Sequence, residues 1–347
     1  MTDADLKVAL DAALDRLPSV LADDRARAGV RAIAERLPSA MTTGPLGLEI
    51  RLAGTPSIDV FAAAVPGDPS FTALVGSLRA GGWADDARAA DLADVLDRWT
   101  RREGALPAVA RYLLVEADAP DRTAGADSRV PVPSIFLAPR GANDRRRPDA
   151  PPNAVHRLVD ASTVAAAELS GVWPDPATAD GLRAVVEAIT GEGEIFAIGA
   201  MLSRAAGSSM RVAIRRLEPD GMHAVLRAAG LPRQADVIAA WARDTCAPQT
   251  DLAFEVGPGA EDRVGLELSP LHDWKSARTD GWLELLDELV RVGVADADRT
   301  GVVTSLVRPD LDPGPRWGLA HVKVAANAEG RLPVSKLYVG LLHEGAG

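Results

Sequence analysis

The sequence predicts an α/β protein in which ten antiparallel strands, arranged as five hairpins, close into a barrel with helices outside. Three observations carry this. Extended segments come in pairs joined by turn chemistry, and helical patterns come in pairs between them. This order recurs five times, at a spacing of roughly 60–70 residues, as in an array of supersecondary units. Hairpins make their own strands antiparallel, which excludes a βαβ parallel sheet. Alternation alone also fits a sheet with one solvated face. The five-fold order favours closure, because closure removes both exposed edges and ten strands leave a ligand-sized interior.

Residues 4–17 and 22–37 carry apolar positions at helical spacing, such as Leu6, Leu10, Leu14 and Leu17. Pro45 and Gly47 then introduce strands at 46–52 and 57–65, linked by Ala53-Gly54-Thr55-Pro56. Helices follow at 70–80 and 85–102, and strands at 108–117 and 132–138. The next unit reads helices 153–170 and 177–190, strands 194–203 and 209–217. Helices 219–229 and 233–245 precede strands 250–257 and 262–269. The last unit has helices 279–293 and 296–306, then strands 317–326 and 330–343 around Asn327-Ala328-Glu329-Gly330. Leu46-Gly47-Leu48-Glu49-Ile50 is echoed by Val264-Gly265-Leu266-Glu267-Leu268, so the repeat lies mostly in element order. All of it reads as one domain, residues 1–347.

The 347 residues include 47% hydrophobic ones, ample for a core, but only 4% aromatics. Acids outnumber Lys plus Arg by 49 to 38, a formal charge of −11. That balance argues against a nucleic-acid face and against adhesion to an anionic membrane. No basic-then-apolar leader and no apolar run of about 18 residues occurs, so a cytoplasmic protein is the simplest expectation. The single cysteine, Cys246, excludes a disulfide framework and a Cys-based zinc site. Only four lysines are present: Lys7, Lys275, Lys323 and Lys336.

In each strand one parity is apolar and the other polar. Leu48 and Ile50 oppose Glu49 and Arg51; Val212 and Ile214 oppose Arg211 and Arg215; Val322 opposes His321 and Lys323; Leu337 and Val339 oppose Lys336 and Tyr338. In a helix-coated barrel the apolar parity faces the helices, so the lumen collects Arg51, Arg211, Arg215, His321, Lys323, Lys336 and Tyr338. The expected charge distribution is then negative on the outer helices and positive inside. Like charges on adjacent strands cost energy unless an anion lies between them. Several donors of this kind suit a diphosphate and can stabilise it as it departs. Glu49, Asp59, Glu255 and Glu267 share the lumen. One of them can serve as a general base, two can hold Mg²⁺ against phosphate, or all simply pair with the basic residues.

Five αββα units with such a lumen resemble the ABBA, or prenyltransferase-barrel, family over essentially the whole chain. Lys336-Leu337-Tyr338 looks like its diphosphate-gripping Lys-x-Tyr pattern; His321-Val322-Lys323 and Arg211-Val212-Ala213-Ile214-Arg215 resemble its other basic strand positions. Glu49 is similar in place to the glutamate that binds and deprotonates the acceptor in several members. The resemblance implies a prenyl group moved from an isoprenoid diphosphate to an aromatic small molecule or peptide side chain. It implies substrate binding by Arg51, Arg211, Arg215, His321, Lys323, Lys336 and Tyr338, catalysis by Glu49, and no required cofactor. Two features depart from it: the chain has two tyrosines in all, and the fifth strand lacks a central Lys or Arg. They motivate a second reading, a barrel that binds an anionic small molecule or peptide without prenyl chemistry, or that runs another acid/base reaction.

Other signals are weak. His156, His223, His272 and His343 lack metal-ligand spacing, no phosphate-binding glycine loop precedes a helix, and Gly207-Ser208-Ser209 reads as a hairpin turn. Arg145-Arg146-Arg147 reads as a solvated loop. Trp83, Trp99, Trp241 and Trp282 are expected to pack helices onto the barrel.

Overall fold

The computed structural model describes residues 6–42, 46–83, 86–103, 109–120, 130–139, 154–171, 173, 175–189, 193–202, 209–245, 249–257, 263–270, 280–306 and 316–342. Helices α1 (Leu6–Arg16) and α2 (Asp24–Ala34) are followed by strands β1 (Leu46–Arg51) and β2 (Ile58–Ala64). Then come α3 (Pro69–Ala80), α4 (Ala87–Thr100), β3 (Ala110–Ala117) and β4 (Ser134–Pro139). The third unit is α5 (Ala154–Ser170), α6 (Pro176–Ala188), β5 (Glu194–Ala200) and β6 (Met210–Arg215). The fourth is α7 (Pro219–Ala228), α8 (Pro232–Thr245), β7 (Gln249–Val256) and β8 (Val264–Ser269). The fifth is α9 (Asp280–Arg291), α10 (Ala297–Leu306), β9 (Arg316–Ala326) and β10 (Val334–Leu342).

All ten strands form one closed antiparallel barrel in sequence order, with β1 paired to β10. The expected fold class therefore holds, and closure leaves no free edge. The apolar parity of every hairpin is buried against helices: Leu48, Ile50, Val212, Ile214, Val322, Val324 and Leu337 are at most 1% exposed. The core is thus a ring between barrel and helices, joined by Leu10, Leu14, Ile33, Leu74 and Leu78.

Local chemistry sets the ends. Asp23, Asp68 and Asp175 accept hydrogen bonds from backbone N–H groups in the first turns of α2, α3 and α6. Gly54 in the β1–β2 turn and Gly330 in the β9–β10 turn have φ of 71° and 73°, where a side chain would be strained. The last strand starts at Val334, four residues later than the periodicity suggests, because Pro333 cannot donate to the ladder. Trp99, Trp241 and Trp282 are buried in helices as expected, and Trp99 meets Phe71 edge-on at 4.9 Å. Trp83 is equally buried but sits in the turn after α3, its indole N–H donating to the Val130 and Pro131 carbonyls. Arg145–Arg147, Cys246, His272 and His343 lie outside the described residues, as does the side chain of His156. His223 is at the surface, 3.0 Å from Asp236.

Candidate functional site

The lumen holds a cavity of about 650 Å³ whose mouth lies at the hairpin-turn end, beside Thr55, Asn327 and Pro333. Arg51, Arg211, Arg263, Lys323 and Lys336 line it, together with Glu49, Asp59, Glu116 and Asp118. The expectation of positive charge gathered inside is corrected here: five basic side chains face four acidic ones. Lumen parity is also wider than the sequence reading had it. Glu116 and Asp118 come from the third strand and its end, and Arg263 from the start of the eighth.

Strand register brings the groups together. Arg51, Lys336, Lys323 and Glu267 are successive partners across β1, β10, β9 and β8, and Glu49 stands opposite both Tyr338 and Asp59. The ammonium of Lys336 donates to Glu49 and lies 3.4 Å from Asp59 Oδ2. That of Lys323 sits 3.1 Å from Glu267 Oε1. The anion that two adjacent lysines require is therefore supplied by the protein's own carboxylates. Lys323 has room to reach inward because residue 265 is glycine: a Cβ there would come within 2.4 Å of its Cε. Gly47 likewise yields its space to the ring of Phe61.

Two guanidiniums form no ion pair among the described residues. Arg211 makes no hydrogen bond or ion pair among the described residues, and Arg51 has a buried Nε with no partner. Their strands, β6 and β1, stand five places apart in a ten-strand ring, so they face each other across the lumen. The end of β1 is pinned from outside. Arg299 of α10, only 5% exposed, donates to the carbonyls of Arg51 (3.0 Å) and Gly54.

Tyr338 and His321 lie one step deeper than the lysines. Their rings stack at 4.1 Å, Phe61 lies 5.6 Å from Tyr338, and the Lys323 ammonium is 5.8 Å from the tyrosine ring. Arg215 does not line the cavity. It donates to Glu194 and stands 6.0 Å from the Phe196 ring, near the other end of the barrel. Glu255 accepts from Ser209 at 3.1 Å and likewise lies outside the lining.

Burial opposes ionisation of Glu49, but Lys336, aided by Lys323 and Arg211, holds its carboxyl below the usual range. Glu267 is lowered in the same way: burial opposes, and Lys323 and His321 prevail. Burial pushes Asp59 up to about 6 against Lys336, with Glu49 and Asp118 adding to the rise. Glu116 is raised by burial, and Arg211 and Lys323 only partly offset this. His321 is lowered by burial and Lys323, against the pull of Glu267.

No family model matches the chain and no curated protein is similar to it. Solved structures are. The chain is similar to a 6-dimethylallyl tryptophan synthase, with a TM-score of 0.57 and 15% identity over 96% of each chain. It is also similar to the 5-dimethylallyltryptophan synthase of Streptomyces coelicolor, with a TM-score of 0.54 and 13% identity over 99% of this chain and 98% of the other. The chain thus has the fold of these barrels along its whole length. Among the described residues no helix is long and apolar enough to cross a membrane.

Proposed function

We propose that the barrel is an aromatic prenyltransferase that moves a prenyl group from an isoprenoid diphosphate to an aromatic small molecule or peptide side chain. The observation that carries the reading is the pair of guanidiniums, Arg51 and Arg211, facing each other without carboxylates across a closed lumen of about 650 Å³. Charge-assisted bonds from both, with Lys323 and Lys336, are suited to spread over diphosphate oxygens. Tyr338 and His321 stack one step below the lysines, behind the cavity lining.

In the proposed step the allylic C–O bond breaks and its electron pair leaves with the diphosphate, whose growing charge the four cations stabilise. An electron-rich carbon of the acceptor forms the new C–C bond. Glu49, held ionised beside Lys336, accepts the acceptor's N–H or O–H and takes up the proton that aromaticity requires to be lost. Both structural neighbours are named for dimethylallyl tryptophan synthesis, which supports a short prenyl donor and an indole-type acceptor. Glu49 and Asp59 share the Lys336 ammonium, and Glu267 holds that of Lys323.

A second reading, anion binding without prenyl chemistry, draws on the scarcity of lumen aromatics: among the described lining residues Phe61 is the one aromatic available to shield an allylic cation, with Tyr338 packed behind it. Incubation with labelled dimethylallyl diphosphate and tryptophan, tryptamine and indole peptides separates the two. Transfer of label with stoichiometric pyrophosphate supports the transferase; binding of the donor with no pyrophosphate released supports the second reading.

A further inference from the structure

A single ammonium in the lumen serves two acids. Glu49 and Asp59 are direct cross-strand partners on β1 and β2, and Lys336 of β10 lies within ion-pair distance of both. The sharing is uneven. Lys336 donates to Glu49, while it stands 3.4 Å from Asp59 Oδ2. The other oxygen, Oδ1, accepts the backbone N–H of Ala119 at 2.9 Å. Among the described residues Oδ2 thus has Lys336 as its hydrogen-bond partner. Around Asp59 in the lining are Glu49 and Arg51 from β1, Lys336 from β10, and Glu116 and Asp118 from β3 and its end. Lys323, Arg263 and Arg211 stand further round the ring.

Two carboxyls sharing a site ionise together only while a cation lies between them. A diphosphate draws on that cation, because Lys336 is among the groups that spread over its oxygens in the proposed function. It also brings several negative charges to a lining of five basic and four acidic groups. One of the two acids then has to be neutralised, and the geometry selects the one held less closely. Burial already pushes Asp59 up to about 6 against Lys336, whereas Lys336 overcomes burial at Glu49 and keeps it below its usual range. We infer that Asp59 takes up a proton on Oδ2 as the diphosphate enters and then binds it as a neutral hydrogen-bond donor. This role rests on the transferase reading and adds a further ligand to the same site. A carboxylate only accepts and would repel the diphosphate; the neutral acid offers Oδ2–H to a phosphate oxygen while Oδ1 keeps the Ala119 N–H. The proton comes from solvent and returns there when the diphosphate leaves, so Glu49 stays ionised for the acceptor. The loaded protein holds more protons than the empty one, so affinity rises as pH falls from about 8 towards about 6.

Calorimetry of dimethylallyl S-thiolodiphosphate binding, in EDTA and in buffers of different ionisation enthalpy, counts the protons taken up with the ligand. At about pH 7.5 the wild-type protein should take up about half a proton or more per ligand, and its affinity should fall about threefold or more from about pH 7 to about pH 8. Asp59→Asn offers an N–H where the neutral acid offers Oδ2–H. It should take up almost no proton and, at about pH 8, bind the analogue about threefold or more tightly than the wild type does. Were Asp59 needed as an anion to hold Lys336, the same variant would bind more weakly. Glu116→Gln should leave the uptake unchanged. Infrared difference spectra of wild-type protein carrying isotope-labelled aspartate should show a protonated aspartic C=O band when the analogue is added, a result that needs no variant to fold. Absence of that band, weaker binding by Asp59→Asn, or uptake lost in Glu116→Gln instead overturns the inference. If the analogue binds the wild type without proton uptake, only this inference falls; if it does not bind, the transferase reading falls and this role with it.

Discussion

Arg211 and Lys336 were equal candidates on parity alone, yet the structure gives them different positions. Lys336 is committed to Glu49 and Asp59, while Arg211 forms no ion pair among the described residues. Substitution of Lys336 therefore strands two buried acids, a loss expected to cost stability as well as binding. Arg211→Ala removes a cation that forms no ion pair among the described residues, though its charge helps keep Glu49 and Glu267 ionised. Alternation placed Glu49, Arg51, Asp59, Arg211, Lys323 and Lys336 on the lumen side, where they line the cavity. It could not show how they pair, because pairing depends on stagger between strands distant in the chain. Glu116 and Asp118 were missed for a related reason: Ala110-Arg111-Tyr112-Leu113-Leu114-Val115-Glu116 alternates poorly, and the β3–β4 ladder shifts register near Tyr112. Gly265 offered a signal that went unused, a glycine in mid-strand where another chain group approaches closely. Gly265→Ala should displace the Lys323 side chain and weaken dimethylallyl S-thiolodiphosphate binding about threefold to tenfold with little change in fold, measured by calorimetry and circular dichroism.

Among elements, order and type were legible because each hairpin carries period-two alternation and each helix a stripe at period 3.6. Ends were less so. The segment 22–37 stops as α2 at Ala34, and a 3₁₀ turn at Ser39–Thr42 follows Pro38. Nothing local announces the bridge from α10 to the first hairpin. There Asp296 N–H donates to Leu52 O at 2.9 Å, Leu52 N–H donates to Ser335 O at 2.9 Å, and Ser335 Oγ donates to Val294 O at 2.7 Å. Arg299 completes it, and a buried arginine is visible only once the helix has docked. Arg299→Ala leaves two carbonyls without their donor and should destabilise the fold by about 2–3 kcal/mol, read as a lower denaturant midpoint at unchanged slope. It should also lower affinity for the diphosphate analogue, because Arg51 closes the same strand.

On the scale of the whole molecule, the barrel separates an apolar ring from a charged lumen, and that lumen is where pH acts. Asp251, beside Glu267 in the ladder, is pushed up to about 7 by burial and by that glutamate. A carboxyl raised in the folded state ionises first in the unfolded chain. The folded form therefore binds the extra proton, and stability falls as pH rises from about 4 to about 7. Asp251→Asn keeps an acceptor for the Arg216 N–H and removes this loss. The variant should be more stable than the wild type by about 1 kcal/mol or more at pH 8, with the gain vanishing near pH 4, as followed by thermal unfolding. The net charge of −11 does not mark a positive interior, since acids and bases meet there in near balance.

On the proposed function, the two guanidiniums that form no ion pair in this balanced lumen, Arg51 and Arg211, hold the diphosphate. Isothermal titration of dimethylallyl S-thiolodiphosphate into the wild-type protein and into Arg211→Ala tests it most directly. Saturable binding to the wild type, weakened about tenfold to a hundredfold in a variant that still folds, is the predicted result. No binding to the wild type, or the same affinity in both proteins, would contradict it.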